Sequence, residues 1–189
     1  MNRSLSIFMV LLSAAAPLSA QAGPRTPLEP PDALVAALNA ALYNAQANVQ
    51  EVDDSAKAAL ATTVLHATLA HLLPNQLADT AALNAAGAAV ARRTAGDQAC
   101  NVIVACARAA AEAVGARWVV LAKVSKTSNL IWLLTGQLVH VPSGTIVLDD
   151  STELKGDPDP MVRAGVRIFA ERVARTVRAG GVTTDFPTP

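Results

Sequence analysis

The chain has 189 residues, of which 52% are hydrophobic, 16% charged and only 3% aromatic. Such a composition excludes a disordered or fibrous protein and suits one domain with a core built mainly from Ala, Val and Leu. Its 15 basic residues balance 15 acidic ones, which argues against a broad nucleic-acid or anionic-membrane surface. In chain order, the first signal is MNRSLSIFMVLLSAAAPLSAQA. One cation, Arg3, precedes an apolar run from Leu5 to Leu12 and the small-residue sequence Ala20-Gln21-Ala22. This is the layout of a secretory signal peptide cut after Ala22, and its apolar run is too short for a permanent anchor. An exported, periplasmic protein is therefore expected. No Cys follows the cleavage region to carry a lipid, and no later run approaches the roughly 18 apolar residues of a span, so the mature chain is expected to be soluble.

Residues 23–32, GPRTPLEPPD, read as a Pro-rich leader, extended and poorly ordered. A single domain is expected over 33–180, with a disordered tail at 181–189. In ALVAALNAALYNAQ, Leu34, Leu38 and Leu42 recur every fourth residue among helix-favouring alanines, so local propensity says helix. A clear helix follows, with Asp54 or Ser55 as its cap, a stripe of Ala61, Leu65, Leu69 and Leu72, and Pro74 at its end. QLADTAAL reads as a short strand and NAAGAAVARRTAG as a short helix ending near Gly96. Another helix is expected from Asn101 to Val114, stopped by Gly115.

The period then changes. RWVVLAKVSK and SNLIWLLTGQLVHV read as strands, VPSGT as a turn and TIVLDDSTELK as a third strand, together an antiparallel meander. Asp159 and Pro160 read as the start of a last helix. Val162, Val166, Phe169, Val173 and Val177 line one face, Arg163, Arg167, Glu171, Arg175 and Arg178 the other, and Gly180-Gly181 ends it. The fold class is α/β (α+β): a single-domain mixed β-sheet with a C-terminal three-strand antiparallel meander and helices packed on it.

Export favours a disulfide between Cys100 and Cys106. Six residues of unbroken helix span about 9 Å, beyond the roughly 7 Å Cα limit of a bridge. Pairing therefore requires Cys100 to lie in the loop before the helix; the alternative is two separate core residues. The spacing is not that of a Cys-x-x-Cys redox motif.

The polar cluster Lys123, Ser125, Lys126, Ser128 and Asn129, with Trp132 beside it, is the candidate binding site. Lys126-Thr127-Ser128 is similar to one strand element of penicillin-recognising enzymes, but the Ser-x-x-Lys nucleophile those enzymes need is absent, and a local turn explains the residues. No Gly-x-Ser-x-Gly element supports a Ser-His-Asp triad, and His140 reads as a strand residue on the solvated side or at a sheet end. His66 and His71 lie about 140° apart on a helix and share no face. Asp149, Asp150, Glu153, Asp157 and Asp159 lack the spacing of a calcium loop. No metal, cofactor or catalytic residue is assigned. The arginine face of the last helix is either solvated or a surface for an anionic partner.

VGARWVVLAKVSKTSNLIWLLTGQLVHVPSGTIV resembles bacterial exported proteins of the domain-of-unknown-function family DUF2380 and its relative DUF3280. The shared pattern is a Cys-bearing helix ending in Gly115-Ala116, with Arg117 where the family has an acidic residue. A strand then ends in the motif Lys-Val-Ser-x-x-Ser-Asn-Leu-Ile, here Lys123 to Ile131, followed by a strand with the turn Pro142-Ser143-Gly144 and the step Lys155-Gly156-Asp157. The resemblance implies that 33–43 is a first strand, against propensity, with Ala41 in a usually acidic place. It also implies a fold similar to the N-terminal domain of TolB-like proteins, and no catalytic residues. The expected function is a non-enzymatic periplasmic binding or assembly module for an unknown protein partner. The alternatives are a small-ligand carrier, or a hydrolase using Ser125 or Ser128 with Lys123 or Lys126.

Overall fold

The structure, a computed structural model, describes residues 26–43, 54–94, 100–128 and 131–182. The expected signal peptide, Asn129 and residues 183–189 of the tail lie outside them. Elements run β1 (Val35–Ala37), β2 (Ala41–Leu42), α1 (Asp54–Leu72), α2 (Thr80–Thr94), α3 (Val104–Ala113), β3 (Trp118–Ser128), β4 (Ile131–His140), β5 (Ile146–Lys155) and α4 (Pro158–Arg178). The sheet order is β1-β3-β4-β5, with β2 also paired to β3. β1 and β2 run parallel to β3, while β3, β4 and β5 form the antiparallel meander. The sheet is therefore mixed, in a single α+β domain.

The segment 33–43 is strand, not helix, but in two pieces. Val35 and Ala36 are fully buried and face opposite sides of the sheet, so β1 gains more from burial on both faces than a helix would from propensity. The strand breaks between its pieces because Ala40 N–H leaves the ladder and donates to Thr62 Oγ1 of α1 at 2.9 Å.

Three boundaries differ from expectation, the first being α3, which begins at Val104 and leaves Asn101 in the turn before it. In QLADTAAL, Leu77 makes only one bridge, to Val35. Asp79 then accepts from Ala82 N–H at 2.7 Å, so its carboxylate caps α2 and the helix starts at Thr80. α4 likewise starts before Asp159: Asp157 is the N-cap, its side chain accepts from Asp159 N–H, and Pro158 takes the first helical position. The expected apolar face of α4 is buried throughout, Val162, Val166, Phe169, Val173 and Val177 being at most 1% exposed.

Helices cover both faces of the sheet. On one, α1 and α4 pack against Trp118, Val120, Val124, Leu134 and Leu138. On the other, Leu83 of α2 and Ala107, Ala110 and Ala111 of α3 pack against Val119, Leu121, Val139 and Val141. This second cover stops part-way: among the cluster residues of β3 and β4, it reaches Leu121 and Val139. Lys123, Thr135 and Gln137, the next positions on that face, are only half-buried.

Cys100 and Cys106 are joined, with Cα atoms 4.9 Å apart. Cys100 lies in the turn ahead of α3, the placement a bridge requires. In the chain-entropy account, a loop this short stabilises by about 2 kcal/mol. Replacing both cysteines by alanine is expected to lower Tm by about 4–8 °C. Calorimetry of oxidised and reduced protein checks it; indistinguishable scans would mean that the bridge carries no stability.

Candidate functional site

Alternation along β3 divides the residues singled out in the sequence. Lys123 and Ser125 point to the half-covered face; Lys126 points to the α1/α4 side. Lys126 Nζ lies 3.4 Å from Asp54 Oδ1, both side chains being buried, and 5.8 Å from the Trp132 ring centre. Trp132 is itself 4% exposed. This pair therefore belongs to the packing between α1 and the sheet and offers no open platform. Ser125 is buried and Ser128 exposed. Ser125 and Lys126, on opposite faces, do not form a dyad. Of the candidate residues, Ser128 is exposed at the strand end and Lys123 is half-buried at the edge of the helical cover.

Lys123 lines a cleft of about 150 Å³. Leu121, Thr135, Gly136 and Gln137 form its floor, and Asp149 lies on its far side. Asn101 and Val102, from the turn before α3, close a third side. Register explains the gathering: Lys123 is paired with Thr135, Leu121 with Gln137 and Gln137 with Asp149. Gln137 Nε2 donates to Asp149 Oδ1 at 3.3 Å. Thr135 Oγ1 is buried and has no hydrogen-bond partner among the described residues. Asn101 is held by its amide, which donates to Asn39 O at 3.0 Å. Sequence reasoning found Lys123 but missed Asn101, Thr135 and Gln137, because they come from a turn and a strand that only the folded register brings beside it.

A second polar centre joins the leader to the sheet. Glu29 is 8% exposed. Its Oε1 accepts from Arg117 Nε at 2.9 Å and from Arg117 Nη2 at 2.6 Å, and lies 2.8 Å from His140 Nε2. The Arg117 hydrogen bonds are the main reason that the Glu29 carboxyl is held below its ordinary value; burial opposes them, and His140 adds to the lowering. His140 Nδ1 lies 2.8 Å from Ser143 Oγ. The chain of carboxylate, imidazole and hydroxyl has the connectivity of a hydrolytic triad. However, Arg117 shares the same carboxylate oxygen, and Ser143 Oγ is bonded to Thr145 through its N–H at 3.2 Å and its hydroxyl at 2.8 Å. The arrangement fastens three segments together.

His140 is thus buried at a strand end, at 6% exposure, and not on a solvated side. The sequence signal for this centre was Arg117: a cation beside an apolar strand needs a counter-charge, and Glu29 of the leader supplies it. The acidic residues near β5 are also partnered. Asp150 accepts from Arg172 at 2.8 Å, and Asp159 from Lys57 at 2.5 Å. Among the described residues no cluster of metal-ligating side chains occurs, and no helix is long and apolar enough to cross a membrane.

Fold and cleft together define a small α+β domain with one sheet face left partly open. The profile of the family DUF3280, described as "Protein of unknown function (DUF2380)", matches residues 33–173. The chain belongs to this family. No curated protein matches the sequence. Among solved structures, lipoprotein GNA1162 from Neisseria meningitidis is 10% identical, with a TM-score of 0.50, over 76% of this chain and 98% of that one. The LpoB C-terminal domain from Salmonella enterica is 17% identical, TM-score 0.47, over 72% of this chain and 89% of that one. TolB from Acinetobacter baumannii is 15% identical, TM-score 0.40, over 86% of this chain and 31% of that one. At such identities, likeness to GNA1162 bears on the fold alone.

Proposed function

We propose that the protein is exported to the periplasm and acts there as a non-enzymatic binding or assembly module, engaging a protein partner through the half-covered sheet face around Lys123. The signal-peptide pattern of residues 1–22 supports export. The carrying observation is the cleft, whose about 150 Å³ falls short of the roughly 300–1,000 Å³ of small-molecule sites. It suits a single inserted side chain better than a carried ligand. A hydrolase reading loses support because Ser125 and Lys126 lie on opposite faces, and Ser125, which shares its face with Lys123, is buried.

A photo-crosslinking residue at Gln137, in the full chain expressed in its native host, tests this reading. We expect one discrete periplasmic adduct that is absent when the same residue replaces Arg163 on α4. Adducts from Arg163 alone would overturn the assignment of the face, and retention of the protein in the cytoplasm would overturn the export.

A further inference from the structure

We infer that the cleft seats the carboxylate of an aspartate or glutamate side chain presented by the protein partner, held by Lys123 Nζ and Thr135 Oγ1. This rests on the reading that the half-covered face is the docking face. Three observations converge on a carboxylate. Among the described residues, Lys123 is the one cation lining the cleft, and it has no ion pair or hydrogen-bonded partner there for its side chain. Thr135, its neighbour in register, has a buried hydroxyl oxygen with no partner among the described residues. An unpaired buried hydroxyl is costly, and a carboxylate oxygen beside it would accept its proton while the other oxygen faces Lys123.

The acid in the cleft sets the orientation. Asp149 sits across two strands and one row from Lys123, which ordinary sheet spacings make about 11–12 Å between Cα atoms. Gln137 already donates to it. A carboxylate is thereby directed toward the Lys123 side and away from Asp149. A phosphate, with up to two charges and more oxygens to satisfy, meets only one cation and a repelling Asp149. The volume, about 150 Å³, admits a short side-chain head.

The test is a titration of the full-length 15N-labelled protein, followed by amide NMR shifts. Its arms are a blocked peptide with one glutamate, the same peptide with glutamine, and free acetate. The glutamate peptide is expected to shift the amides of Lys123, Thr135, Gly136 and Gln137. It should bind about tenfold more tightly than the glutamine peptide, the worth of a charge-assisted contact. Lys123→Met should remove that difference. Thr135→Val should weaken binding while leaving the urea midpoint no lower than that of the wild type, since it removes an unpaired buried hydroxyl. Equal binding of the two peptides would overturn the proposal, and so would acetate saturating the site as tightly as the peptide, which would assign the cleft to a free small carboxylate. If no arm shifts these amides while the Gln137 crosslink still forms, the carboxylate assignment fails and the docking face stands. If the crosslink is absent as well, both fail.

Discussion

Gly136→Val is expected to destabilise the domain by more than about 3 kcal/mol, at the severe end of overpacking. A Cβ at this position would lie 2.4–2.7 Å from three ring carbons of Phe169, a ring only 1% exposed. The row Ala122–Gly136–Asp150, in register across β3, β4 and β5, makes a hollow that the ring of α4 fills. Because packed rings cannot shift far, the strand would have to move instead. Gly136 also lines the cleft on its other side, so the same movement would displace Thr135 and Gln137. Urea unfolding of Gly136→Val, Phe169→Leu and the double variant checks this. The double variant should be more stable than the sum of the single losses implies, because the smaller side chain gives way to the valine. Additive losses, or a Gly136→Val midpoint near wild type, would show that the hollow does not depend on this glycine.

The sequence made the meander and α4 legible because their patterns are strong: β-branched runs between turn residues, and an apolar stripe at helical spacing opposite arginines. It misplaced starts where a single carboxylate decides, as with Asp79 before α2 and Asp157 before α4. In both, an acid lies close to another plausible start, and only the hydrogen bond selects one. β1 was legible only through family resemblance, since Ala and Leu at every fourth position mimic a helix when the burial of both faces is unknown. Lys123 was found as part of a polar cluster, but alternation on β3 and the bulge between Lys126 and Ser128 scatter that cluster over two faces. The cleft is invisible in the sequence because its walls come from the turn before α3 and from three strands.

Loss of Glu29 gives the second large effect and explains why the leader belongs to the fold. Leu28 N–H donates to Gly180 O at 2.7 Å. Gly180 has φ +64°, and a Cβ there would lie 2.5 Å from Glu29 O and from Pro27 Cβ. The leader therefore runs tightly over the end of α4, an approach that glycine at this position permits. Glu29 then ties it to Arg117, just ahead of β3, and to His140 on β4. Glu29→Ala leaves a buried imidazole nitrogen without this acceptor. The expected cost is about 3 kcal/mol, the low end for breaking a buried charged pair, because the Arg117 side chain keeps 50% exposure and regains water. The pH dependence separates this ionic fastening from mere packing. Since the folded carboxyl is held below its ordinary value of 4.5, its contribution is complete above that unfolded value. It is lost as pH falls through the lower folded value. The stability gap between wild type and Glu29→Ala should thus be widest near neutral pH and shrink progressively below pH of about 4.5. Urea midpoints at neutral and acid pH measure it, and a gap independent of pH would show that Glu29 holds the leader by shape and not by charge.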